Sequence, residues 1–91
     1  MIDFTPISVG QVIIAELRSR GFDAKLFRHD HIICSIYINN RFILHYINEA
    51  FELVDVSAMY HELRVNDSIE LLTVSVYDPE FLDKLIAVMN G

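Results

Sequence analysis

The side chains able to do chemistry are few: Cys34, the histidines, the carboxylates, and tyrosines and phenylalanines gathered in the central part of the chain. A thiol becomes a nucleophile when a base stands beside it and an acid orients that base. Cys34, His45 and Glu52 are the residues that could supply such a row. Residues 31–38 and 41–47 are rich in β-branched and aromatic types and are separated by Asn39-Asn40. Asn tolerates positive φ, so the pair suits a two-residue hairpin turn. That turn places Cys34 opposite His45, Ile36 opposite Ile43, Ile38 opposite Arg41 and Ile32 opposite Ile47. A second two-residue turn at Asn48-Glu49 would bring Glu52 beside His45. Against a catalytic reading, Glu suits positive φ poorly, and mid-sheet positions lack a cleft and oxyanion donors. A buried Cys behaves as a small hydrophobe, and a core His ordinarily has a hydrogen-bond partner of no catalytic meaning.

His29-Asp30-His31 is the one local cluster with metal-ligating types. Catalytic zinc needs three protein ligands and structural zinc four, and no spacing brings His61 to this turn. The bland reading, a solvated strand-to-strand turn, is preferred. Tyr37, Phe42 and Tyr46 could stack bases as on a sheet-type RNA platform, but only Lys25, Arg28 and Arg41 are at hand to meet phosphates. Gly10, Gly21 and Gly91 are isolated, so there is no phosphate-cradling loop. Neither a serine-nucleophile motif nor a pair of catalytic carboxylates is present. The expectation is a protein that is not an enzyme and has no cofactor and no metal.

Charge agrees. Residues 1–47 hold five basic and four acidic side chains, net +1, whereas residues 48–91 hold two basic against nine acidic, net −7. A backbone-phosphate binder neutralises several phosphates with Lys and Arg, so the acidic half argues against nucleic acid. It offers instead a surface for a basic protein partner, or simply a solvated face that keeps a small protein dispersed.

The elements that must position these residues are legible from periodicity. Residues 8–20 read as a helix, with Ser8 and Gln11 at capping-box spacing, an apolar stripe of Val9, Val12, Ile13 and Leu17, and Gly21 as the left-handed terminator. Residues 22–28, 31–38, 41–47, 51–56 and 69–77 read as strands, and 57–66 as either a strand or a short helix. Asp78-Pro79-Glu80 opens a final helix with a carboxylate cap and a proline in the first turn. Its stripe is Phe81, Leu82, Leu85, Ile86 and Met89.

The predicted fold is α+β: one domain over residues 1–91, an antiparallel meander of four to five strands, with the N-terminal and C-terminal helices packed on one face. The single cysteine excludes an internal disulfide. No apolar run approaches the ~18 residues of a membrane span, and the chain does not open on a positively charged segment. A soluble, cytoplasmic protein with no membrane association is expected.

Hydrophobic residues make up 53% of the chain, above the usual ~45–50%, and the surplus lies in the strands. Two helices can roof one sheet face, here assigned to Ile32, Cys34, Ile36, Ile43 and Ile47. The other face then presents Ile33, Tyr37, Phe42, Leu44 and Tyr46 as an interface. Contiguous exposed apolar area of this kind marks an interaction surface. The function expected is a homo-oligomeric adaptor or regulator, a dimer before other states. The alternatives are an acidic inhibitor or immunity-type protein using residues 48–91, and nucleic-acid binding on the aromatic face.

Overall fold

The computed structural model describes residues 5–56 and 69–91. The fold is the expected α+β arrangement. Helix α1 (Pro6–Ser19) precedes strands β1 (Ala24–His29), β2 (Ile33–Ile38), β3 (Phe42–Ile47), β4 (Ala50–Asp55) and β5 (Ile69–Ser75), and helix α2 (Phe81–Asn90) closes it. The strands form one antiparallel meander in the order β1-β2-β3-β4-β5. The strand-or-helix alternative at 57–66, and with it His61, lies outside the described residues.

Helix α1 begins earlier than the capping-box reading placed it. Thr5 is the cap residue and Pro6 occupies the first turn, where its missing N–H would have had no helical partner anyway. Ser8 is thereby inside the first turn, and its hydroxyl oxygen accepts from Thr5 Oγ1 at 2.8 Å. The buried stripe is Gly10, Ile13 and Leu17, while Val12 is 67% exposed. Gly21 ends the helix at φ 91° as expected. Phe22 N–H donates to Leu17 O and Gly21 N–H to Arg18 O, the paired bonds that satisfy a helix's last carbonyls. Before α2, Asp78 Oδ1 accepts from Glu80 N–H at 2.9 Å, so the carboxylate cap acts on the entry turn rather than on the helix proper.

Both hairpins turn on left-handed pairs: Asn39 and Asn40 at φ 53° and 55°, Asn48 and Glu49 at 53° and 61°. The second is the two-residue turn that pairs Ile47 with Ala50 and His45 with Glu52. Glu49 holds its costly conformation because its carbonyl accepts from Val76 N–H at 2.9 Å, tying the turn to the chain after β5. An L-residue in this region costs about 1–2 kcal/mol, and glycine does not. We expect Glu49→Gly to raise unfolding free energy by about 0.5–1 kcal/mol, part of the strain relief being offset by unfolded-chain entropy. Urea melts check this; a loss of stability would mean that Glu49 side-chain contacts outweigh its backbone strain.

The first hairpin differs from expectation by one residue. Ile38 pairs with Phe42, Ile36 with Leu44 and Cys34 with Tyr46. Arg41 N–H still closes the turn on Ile38 O, but Arg41 O accepts from Val56 N–H, while Asn39 N–H and Oδ1 bond Asp23 O and N–H. The neighbouring strands pull on either side of the turn, leaving Arg41 as an extra residue. A one-residue shift exchanges the faces of a strand. Here Phe42, Leu44 and Tyr46 turn under the helices, and Ile43, His45 and Ile47 turn away. The alternative would have buried an imidazole and, beside it, the Glu52 carboxylate beneath α1 and α2, which is unfavourable without partners.

The core therefore lies between the helices and the face carrying Cys34, Ile36, Ile38, Phe42, Leu44, Tyr46, Phe51, Leu53 and Val74, together with Ile13, Leu17 and Leu85. Helix α1 packs on β1 and β2, with Gly10 directly over Cys34. Helix α2 lies on the other half of that face, where Phe81 stacks on Phe51 at 4.7 Å between ring centroids. Arg20 and Asp83 join the two helices at 3.6 Å across exposed surface.

Candidate functional site

With the register fixed, the sheet face away from the helices is made of three rows. Lys25, Tyr37, Ile43, Val54 and Glu70 form one; Ile33, Ile47, Ala50 and Ser75 another. Between them runs a polar row, Arg28, Ser35, His45, Glu52 and Thr73, one residue from each strand. Phe27, an extra residue where β1 shifts register, meets Tyr37 edge to face at 6.0 Å.

Of the five residues expected at an interface, Ile33 and Tyr37 lie on this face away from α1 and α2 and are half-buried. Phe42, Leu44 and Tyr46 do not: they are 5%, 1% and 4% exposed in the core beneath the helices, because of the one-residue register shift. The same shift corrects Ile43 and Ile47, expected under the helices and found on the free face, and Ile32, which is exposed before β2. The signal that could have found Ile43 and Ile47 was polar: Ser35, His45 and Glu52 belong together on the side away from the core.

The Cys-His-Glu row weighed from the sequence does not form, although the second two-residue turn does set His45 opposite Glu52. Cys34 lies opposite Tyr46 on the covered face, fully buried, and burial pushes its thiol up from the usual range, away from a reactive thiolate. His45 stands opposite Ser35, with Ser35 Oγ 2.7 Å from Nδ1, and Glu52 on the next strand. The outline of serine, histidine and carboxylate is thus present, but it does not make a nucleophile. Ser35 is fully buried in the middle of a sheet, and the amides around it are committed to strand pairing, so a substrate carbonyl could not approach or find oxyanion donors. Ser35 and His45 instead satisfy one another between the apolar side chains of the two flanking rows.

Burial holds the His45 imidazole below its ordinary pKa, Arg28 acting in the same direction and Glu52 against it. A depressed folded pKa means that the unfolded chain takes up the proton first as pH falls. His45 therefore lowers stability as pH drops through the unfolded value near 6.5, and the loss is complete below its folded value. Thermal melts should show the midpoint falling between pH 7.5 and 5.5, and His45→Gln should flatten that slope. An unchanged slope in the variant would remove His45 as its source.

At the β1–β2 turn, Asp30 Oδ1 accepts from the N–H groups of Ile32 and Ile33 at 2.7 and 3.0 Å, which holds its carboxyl below the usual range. His29, Asp30 and His31, with Thr5, Pro6 and Ile7, line an open groove of about 390 Å³. Among the described residues, no three His, Cys, Asp or Glu side chains are placed to hold a metal ion. Also among them, no helix is long and apolar enough to cross a membrane.

Compared with protein-family models, curated proteins and solved structures, the chain matches none.

Proposed function

We propose that this chain is a non-enzymatic, cytoplasmic interaction module that associates with copies of itself through the sheet face away from α1 and α2. The supporting observation is the content of that face: Ile33, Tyr37, Ile43 and Ile47 are half-buried apolar side chains on the side opposite α1 and α2. Apolar area gathered in this way favours association. The edges of the sheet are poorer candidates. Both β1 and β5 are interrupted by register shifts, at Leu26/Arg28 and opposite Leu53/Val54, and bulges of this kind blunt an edge against strand addition.

The acidic-partner reading draws on residues 48–91, yet Asp55 is tied to Arg41 and Asp78 to Lys84. Nucleic-acid stacking is weakened by the burial of Phe42 and Tyr46, which leaves Tyr37 and Phe27 as the aromatics on the face away from α1 and α2 among the described residues.

The test is sedimentation equilibrium of the wild-type chain and of Ile43→Asp. Self-association predicts a wild-type dimer that persists in high salt, because the contact is apolar, and a folded monomeric variant. A wild-type monomer at millimolar concentration would overturn the reading.

A further inference from the structure

We infer that two copies meet face to face across a two-fold axis running along β3, so that β1 of each lies over β5 of the other. This rests on the preceding reading of the face away from α1 and α2 and specifies its partner and orientation. Charge on that face is polarised across the strands. Lys25 and Arg28 stand on β1 at one side, Glu52 and Glu70 on β4 and β5 at the other. The apolar residues Tyr37, Ile43 and Val54 lie between Lys25 and Glu70 in a single row.

A homodimer interface must complement itself, and two in-plane axes allow sheets to stack. An axis across the strands sets β1 over β1 and β5 over β5, gathering the basic side chains of the two copies along one edge and the Glu70 carboxylates along the other. An axis along the strands reverses the order. Lys25 then faces Glu70 of the second copy twice over, Tyr37 faces Val54, and Ile43 meets Ile43 on the axis. Since β3 is the middle strand of five, this axis also centres the overlap. Like charges set together across an interface cost free energy, so polarity selects the second arrangement.

The area is sufficient. Five strands about 4.8 Å apart and about six residues long at ~3.3 Å per residue present roughly 24 × 20 Å. Two such faces bury about 1,000 Å² or somewhat more, the floor for a biological interface and the size of a weak, reversible one. Stacked sheets about 10 Å apart, at the usual −30°, leave room for these side chains to interdigitate.

Lys25 and Glu70 are exposed, Lys25 lying 3.8 Å from Asp23 and Glu70 accepting from the Thr73 hydroxyl, so reversing them leaves the core untouched. Sedimentation equilibrium at low ionic strength would compare wild type with Lys25→Glu, Glu70→Lys and the double variant, far-UV circular dichroism confirming that each is folded. Each single reversal sets like charges together at two symmetry-related places and should weaken the dimer roughly tenfold. The double reversal exchanges both partners and should restore wild-type affinity. Single variants that dimerise like wild type would overturn the orientation while leaving self-association standing. A wild-type monomer would remove both.

Discussion

Replacement of Phe51 by alanine should cost about 3–5 kcal/mol, the range for deleting a fully buried aromatic ring. Phe51 is 0% exposed and sits at the centre of the covered face, stacked on Phe81 at 4.7 Å and tilted against Tyr46 at 5.0 Å. It is the ring through which β4 receives α2. A domain of this size holds only about 5–15 kcal/mol in total, so the variant should be marginal at 37 °C. At about 4–8 °C per kcal/mol, the thermal midpoint should drop by some tens of degrees. Phe51→Leu, which keeps most of the volume, should lose less than half as much. Differential scanning calorimetry of both variants checks this. A loss under 1 kcal/mol for Phe51→Ala would mean that α2 does not dock on this ring.

The second large effect is one of sign. A Cβ at Gly10 would lie 2.3 Å from Cys34 Sγ, but 3.4 Å from Cys34 Cβ. Alanine at position 10 therefore forces α1 off the sheet, and overpacking of this kind costs about 1–3 kcal/mol. That exceeds the ~0.8–1.0 kcal/mol by which alanine outranks glycine inside a helix, so Gly10→Ala should destabilise. With Cys34→Ala already present the clashing sulfur is gone. The same Gly10→Ala change should then stabilise by up to about 1 kcal/mol. Chemical denaturation of wild type, both single variants and the double variant gives the coupling energy directly. Additive effects would mean that the helix does not approach Cys34 this closely.

The order of elements and the meander were readable because each carries its own local signal. The strands are β-branched and aromatic runs, Gly21 stops α1, and Asp78-Pro79 introduces α2. The two-helix covering of a single face followed from having one helix at each end. What sequence alone missed was one residue of register at Asn39-Asn40. Turn chemistry there satisfies a two-residue hairpin, but Asp23 and Val56, distant in sequence, bind Asn39 and Arg41 and shift the ladder. Local propensity cannot report a bond made by a strand that has yet to be placed. Burial chemistry could have reported it. Ser35 and His45 are the polar members of β2 and β3, and Glu52 stands mid-strand in β4. Requiring them to share one face excludes the two-residue-turn register, which sets Ser35 and His45 on opposite faces. Phe42, Leu44 and Tyr46 lie under the helices for that single reason, while Ile33 and Tyr37 lie on the opposite face.

The same logic separates a chemical reading of the central residues from a physical one. Ser35 and His45 are in contact at 2.7 Å, yet their hydrogen bond lies within a pleated surface with no cleft. Its role is to let polar atoms sit in an apolar face without a desolvation penalty. A face that is oily, locally satisfied and polarised in charge from β1 to β5 is suited to a flat partner of complementary pattern, and a second copy is one.

Methyl-resolved NMR of the isoleucines over a dilution series bears most directly on this account. The δ1 methyl resonances of Ile33, Ile43 and Ile47 should move together with concentration, while those of Ile36 and Ile38, sealed under α1, stay fixed. Constant shifts for Ile43 and Ile47 from micromolar to millimolar protein, or movement confined to Ile36 and Ile38, would contradict it.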